Sequence, residues 1–121
     1  VVVVIRSDNR HINKAARFFF QAGVIIQQQS SGNVQIFANQ DLKIRLSPAI
    51  VRAIRQAEFQ AAGLAVPDDF ALTQEGMLAD GRWYFLPGSQ LLLNGSLTAE
   101  VPPTRLTLET IEEIVKTALA G

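Results

Sequence analysis

The sequence predicts an α+β fold, a mostly antiparallel sheet packed by three helices, formed as a single domain over residues 1–121. Three observations carry that expectation. Three stretches repeat apolar residues at helical spacing. Short β-rich runs between them are separated by hairpin-type turn signals. The chain of 121 residues, 48% hydrophobic and 18% charged, also suits one apolar core. Those figures exclude disordered, collagen-like and low-complexity chains.

Val1 to Ile5 is an uninterrupted apolar run and reads as a strand buried on both faces. Ser7, Asp8 and Asn9 supply N-cap oxygens for a helix running to about Ala22. Ile12, Ala15, Ala16, Phe19, Phe20 and Gly23 form its apolar face, and Arg10, Lys14, Arg17 and Gln21 the opposite one. Two strands follow, Val24 to Gln29 and Asn33 to Asn39, around the turn-forming Ser30, Ser31 and Gly32. Leu42, Ile44 and Leu46 alternate with Lys43 and Arg45, the period of a half-buried strand.

Ser47 and Pro48 start the second helix, as N-cap hydroxyl and first-turn proline, and Gly63 stops it. Ile50, Val51, Ile54, Ala57 and Ala61 are expected on its buried face, with Arg52, Arg55 and Gln56 pointing outward. Residues 64–81 show no clear period; Pro67, Asp68 and Asp69 read as a turn or a short helix start. Arg82 to Leu86 reads as a strand. Gln90 to Leu93 and Ser96 to Val101 flank Asn94-Gly95, a strong hairpin signal. Thr107 caps the last helix, which runs to about Ala120. Its apolar stripe is Leu108, Ile111, Ile114, Val115, Ala118 and Leu119, and Glu109, Glu112, Glu113 and Lys116 form the outer face.

The formal charge is zero, yet it is unevenly placed. Residues 1–57 hold eight basic and two acidic residues, a net of +6, and residues 58–121 hold three basic and nine acidic, a net of −6. Such asymmetry points to polyanion binding or to a charged partner surface, unless folding mixes the two halves.

Chemistry-bearing patterns are sparse. His11 is the single histidine, at the start of a helix, and no serine sits in a nucleophile elbow. The chain has no cysteine, and neither paired histidines nor a calcium-loop spacing occurs. Asp68-Asp69 and Glu112-Glu113 are adjacent pairs, whose side chains diverge by about 100° on a helix. Ser7-Asp8-Asn9-Arg10 joins a strand to a helix start, but it lacks a glycine for phosphate approach and carries an acid, so capping is its better use. Asn94-Gly95-Ser96 is formally a glycosylation acceptor but is read as turn chemistry. No catalytic residue, metal ligand or cofactor is therefore assigned.

The absence of cysteine permits a reducing, cytoplasmic setting. No basic-then-apolar leader precedes the first strand, and no apolar run approaches the roughly 18 residues of a membrane span. A core strand beginning at residue 1 fits a trimmed chain, a domain cut from a longer one, or a chain without a disordered leader, and the residues do not choose among them.

The leading functional reading is a small non-enzymatic interaction or regulatory module. It would bind a protein partner, or itself as a homo-oligomer, through a basic face (Arg10, Lys14, Arg17, Arg52, Arg55) and an acidic face (Glu109, Glu112, Glu113). The alternative is a nucleic-acid-binding regulator that uses the basic face of the first two helices. A third is an enzyme whose site carries no recognisable motif.

Overall fold

The computed structural model describes residues 2–8, 23–38, 48–78, 82–86, 91–94 and 101–120. Six strands form one sheet: β1 (Val2–Arg6), β2 (Val24–Gln28), β3 (Val34–Ala38), β4 (Gly76–Met77), β5 (Tyr84–Leu86) and β6 (Leu91–Leu93). Their spatial order is β1-β2-β3-β6-β5-β4. Only β1 and β2 run parallel, and every other neighbouring pair is antiparallel. The long connection from Arg6 to Val24 gives the chain room to return to the starting end, as a parallel pair requires. The expected helix over residues 9–22 and the expected strand Leu42 to Leu46 lie outside the described residues.

The β2–β3 hairpin closes as its turn chemistry predicts. The Gly32 N–H donates to the Gln29 carbonyl at 2.9 Å, and the Gln29 N–H donates to the Asn33 carbonyl at 2.9 Å. Gly32 has φ of 93°, a conformation that strains any residue with a Cβ.

Three helices are described: α1 (Pro48–Ala61), α2 (Asp69–Leu72) and α3 (Leu108–Ala120). Helix α1 ends in a Schellman arrangement, Leu64 N–H to Phe59 carbonyl and Gly63 N–H to Gln60 carbonyl, with Gly63 at φ of 71°. Asp68 caps the short α2, its carboxylate accepting from the Ala71 N–H at 2.8 Å. Thr107 caps α3, its hydroxyl oxygen accepting from the Thr110 N–H at 3.1 Å.

Helices α1 and α3 pack against each other and against one face of the sheet. The shared core holds Ile50, Val51 and Ile54 of α1, Leu108, Ile111 and Val115 of α3, and alternate strand residues such as Val24, Ile26, Ile36, Phe85 and Leu92. Trp83 is fully buried in it. On the other face a smaller cluster forms around Ile25, with Val3, Ile5 and Phe37. No helix among the described residues is long and apolar enough to cross a membrane.

Three expectations need correction. The first strand is half-buried rather than buried on both faces; among the described strands it ends the order, with β2 as its neighbour. Ala61 and Leu119 are exposed, since each lies in the last turn of its helix beyond the core residues. Arg55 points inward, as detailed below. The chain after Asn94 that the expected hairpin needs, residues 95–100, lies outside the described residues; Asn94 itself is fully buried, and β6 pairs with β3 and β5.

Candidate functional site

The structure divides the eight charged residues singled out in the sequence. Arg10, Lys14 and Arg17 lie outside the described residues. Arg52 is half-buried on α1, and its guanidinium reaches the Asp69 carboxylate of α2 at 3.4 Å. On α3, Glu109 pairs with Arg6 of β1 at 3.3 Å, and Glu112 pairs with Lys116 one turn later at 2.7 Å. Pairs this exposed contribute about 0–1 kcal/mol each and exchange partners readily. Glu113 is exposed and makes no ion pair among the described residues.

Arg52 and Glu113 share one feature that the sequence kept apart. They stand on opposite walls of a groove of about 450 Å³ between α1 and α3. The rest of its lining is small or apolar, Ala49 and Ala53 from α1 and Ile114 and Ala118 from α3, together with Thr110 and Thr117 of α3. One residue of the expected basic face and one of the expected acidic face thus line the same groove. A cation on one wall and an anion on the other suits a ligand surface carrying both charges in the reverse order.

Arg55 belongs to no surface. It is fully buried, and its guanidinium donates to the carbonyls of Leu72 (2.9 Å), Gln74 (2.7 Å), Gly76 and Trp83 (3.4 Å). The ring of Phe85 lies 5.9 Å from the guanidinium carbon. This side chain therefore clasps the 72–76 segment onto α1 and cannot reach a phosphate or a partner. The outward placement fails because a 3.6-residue period counted on apolar residues alone leaves Arg55 off the buried stripe. At 100° per residue, Ile50, Ile54, Glu58, Val51, Arg55 and Phe59 share an arc of about 180° with Glu58 near its middle. All six are buried. That spacing was the signal available in the sequence.

Glu58 itself is a buried acceptor hub. Its carboxylate accepts from the Trp83 indole N–H at 2.9 Å, the Thr104 hydroxyl, the Arg105 backbone N–H at 3.1 Å and the Arg105 guanidinium at 3.4 Å. Asn94 does the same for the other end of the 101–104 segment. It accepts from the Thr104 N–H (2.8 Å) and the Val34 N–H (3.3 Å), and it donates to the carbonyls of Arg82 (2.8 Å) and Pro102 (3.1 Å). These buried groups are consumed by holding loops to the sheet.

A second hollow of about 350 Å³ lies where β1 and β2 end, lined by Arg6, Ser7, Asp8, Gln28, Gln29, Ser30 and Gly32. Asp8 accepts from the Ser30 N–H at 2.8 Å, and that bond, with a further one from the Ser30 side chain, holds its carboxyl below the usual 3.8. The Gln27 amide donates to the Ser7 carbonyl at 2.9 Å. Asp8 thus ties the end of β1 to the β2–β3 turn, while the helix it is expected to cap lies outside the described residues. No group of three or more metal-ligating side chains occurs among the described residues.

No family model matches the chain, and comparison with curated proteins and with solved structures gives no match. What stands is a class of architecture, an α+β protein with a mostly antiparallel six-stranded sheet.

Proposed function

We propose that this protein is a small, non-enzymatic, cytoplasmic interaction module that pairs with a second copy of itself across the α1/α3 groove. The observation that carries the reading is the placement of Arg52 and Glu113 on the two walls of that groove. A two-fold axis through the groove sets Arg52 of each copy against Glu113 of the other, so one mixed-charge surface complements itself twice. The alanines of the lining let two helix pairs approach closely, and burial of Ile114 and Ala118 adds apolar contact. The existing Arg52–Asp69 bond is long and solvated, so Arg52 can turn to a new carboxylate at little cost.

The test is molar mass by light scattering behind size exclusion, at about 0.02 M and about 1 M salt. Screening shortens from about 20–30 Å to about 3 Å over that range. The expected result is about twice the 13.2 kDa chain mass at low salt and a shift toward 13.2 kDa at high salt. A monomer at both salts contradicts the reading.

A further inference from the structure

Phe70 is 76% exposed, an unusual state for an aromatic side chain of a folded protein, and Leu64 and Val66 a few residues earlier are 48% and 39% exposed. This is not a loose loop that happens to carry a phenylalanine. Asp68 caps the turn, the Thr73 hydroxyl donates to the Asp69 carbonyl at 3.1 Å, and the Gln74 side chain donates to the Phe70 carbonyl at 3.0 Å. The buried Arg55 guanidinium then takes the Leu72, Gln74 and Gly76 carbonyls. A fully buried arginine is thus spent on fixing the turn that presents an exposed aromatic ring.

The charge of the segment that carries the ring is acidic. Asp68 and Asp69, its neighbours in sequence, and Glu75 five residues on are exposed, and no lysine or arginine occurs between Arg55 and Arg82. Arg52 is the one described cation that pairs with any of these three acids. A rigid aromatic anchor with an apolar flank and an acidic rim matches the anatomy of an interface hot spot, where the anchor is buried and the rim selects the partner's charge. Fixing the turn in advance removes part of the ordering entropy that binding otherwise opposes.

We infer that the Leu64–Phe70 turn is a docking site for a cationic, apolar segment of another protein. The occupant places an apolar side chain on Phe70 and lysine or arginine against Asp68, Asp69 and Glu75. This surface adjoins the self-pairing groove through the Arg52–Asp69 ion pair, but Phe70, Leu64 and Val66 do not line that groove, and the inference does not depend on the pairing.

The probe is a synthetic 12-residue peptide of alternating lysine and leucine, titrated into the isotope-labelled full chain and followed by amide chemical shifts at low salt. Peptides of lysine with serine and of glutamate with leucine serve as comparisons. The lysine–leucine peptide is expected to shift the amides from Leu64 to Glu75 saturably, with the two comparison peptides at least tenfold weaker. Phe70→Ala, which alters only an exposed side chain, should weaken binding at least tenfold, and Glu75→Gln should weaken it less and lose its effect at high salt. Shifts centred on Glu109, Glu112 and Glu113, or an affinity unchanged by Phe70→Ala, would overturn the inference. So would a fall in molar mass on Phe70→Ala, because a second copy would then be the occupant.

Discussion

Replacing Glu58 by alanine tests how the 104–106 segment is held to the core. The substitution removes the acceptor of the Trp83 indole N–H, which is fully buried, and of the Arg105 backbone N–H and Thr104 hydroxyl, which are partly so. Each buried donor left without a partner costs about 1–3 kcal/mol. Two such donors and a small cavity bring the expected loss to about 3–5 kcal/mol, against a total stability of about 5–15 kcal/mol for a domain of this kind. Arg105→Ala is the informative contrast. It removes one long contact, 3.4 Å, from a guanidinium that is itself 36% exposed, and three donors to the carboxylate remain. Its expected loss is about 1–2 kcal/mol. Trp83 is the single tryptophan, so its fluorescence reports unfolding in urea directly from the site. With a slope of about 1.5 kcal/mol/M, Glu58→Ala should lower the midpoint by about 2–3 M and Arg105→Ala by about 1 M. Equal losses for the two variants would refute the reasoning, because the site would then be an ion pair rather than a hydrogen-bonded hub.

Asn94→Ala should cost about 3 kcal/mol by the same urea assay, since it strands the Val34 and Thr104 N–H groups together with two carbonyls. Gly32→Ala places a Cβ 3.3 Å from the Pro103 ring at φ of 93°, whereas Gly63→Ala enters open space at φ of 71°. Both should destabilise by about 1–2 kcal/mol, Gly32→Ala by more, and equal losses would remove the Pro103 contact from the account. The Asp8 carboxyl, followed by NMR against pH, should titrate below 3.8 because its bonds from Ser30 favour the charged form. A folded value depressed below the unfolded one gives a stabilisation fully present above about pH 4 and lost as pH falls through the folded value. A midpoint at or above 3.8 would remove it.

Local signals were read most faithfully where the turn chemistry was strong. The β2–β3 hairpin, the Gly63 stop of α1 and the Thr107 cap of α3 all stand where single residues announce them. The α+β class and the mostly antiparallel sheet follow from those elements. What misled was polarity in buried places. Glu58 lies near the centre of the buried arc of α1 and Arg55 within it, yet a charged residue in an apolar stripe reads as the stripe's edge. Its partners are backbone carbonyls and loop donors 17 to 47 residues away, which no local window contains. The burial of Asn94 was equally illegible, because it follows from strand order, a non-local property, and a sequence window shows only its turn chemistry. Phe70 was hidden for the opposite reason, since the short α2 has too few residues for a period and nothing in the sequence marks a phenylalanine as exposed.

Self-pairing across the α1/α3 groove is tested most directly by charge exchange, read as molar mass by light scattering at about 0.02 M salt. Arg52→Glu and Glu113→Arg alone each set like charges against one another in both halves of the pair, and each is expected to give the 13.2 kDa monomer. The Arg52→Glu/Glu113→Arg double variant restores opposite charges and is expected to return to about twice that mass. Dimers from both single variants, or a double variant that stays monomeric while folded, would contradict the pairing.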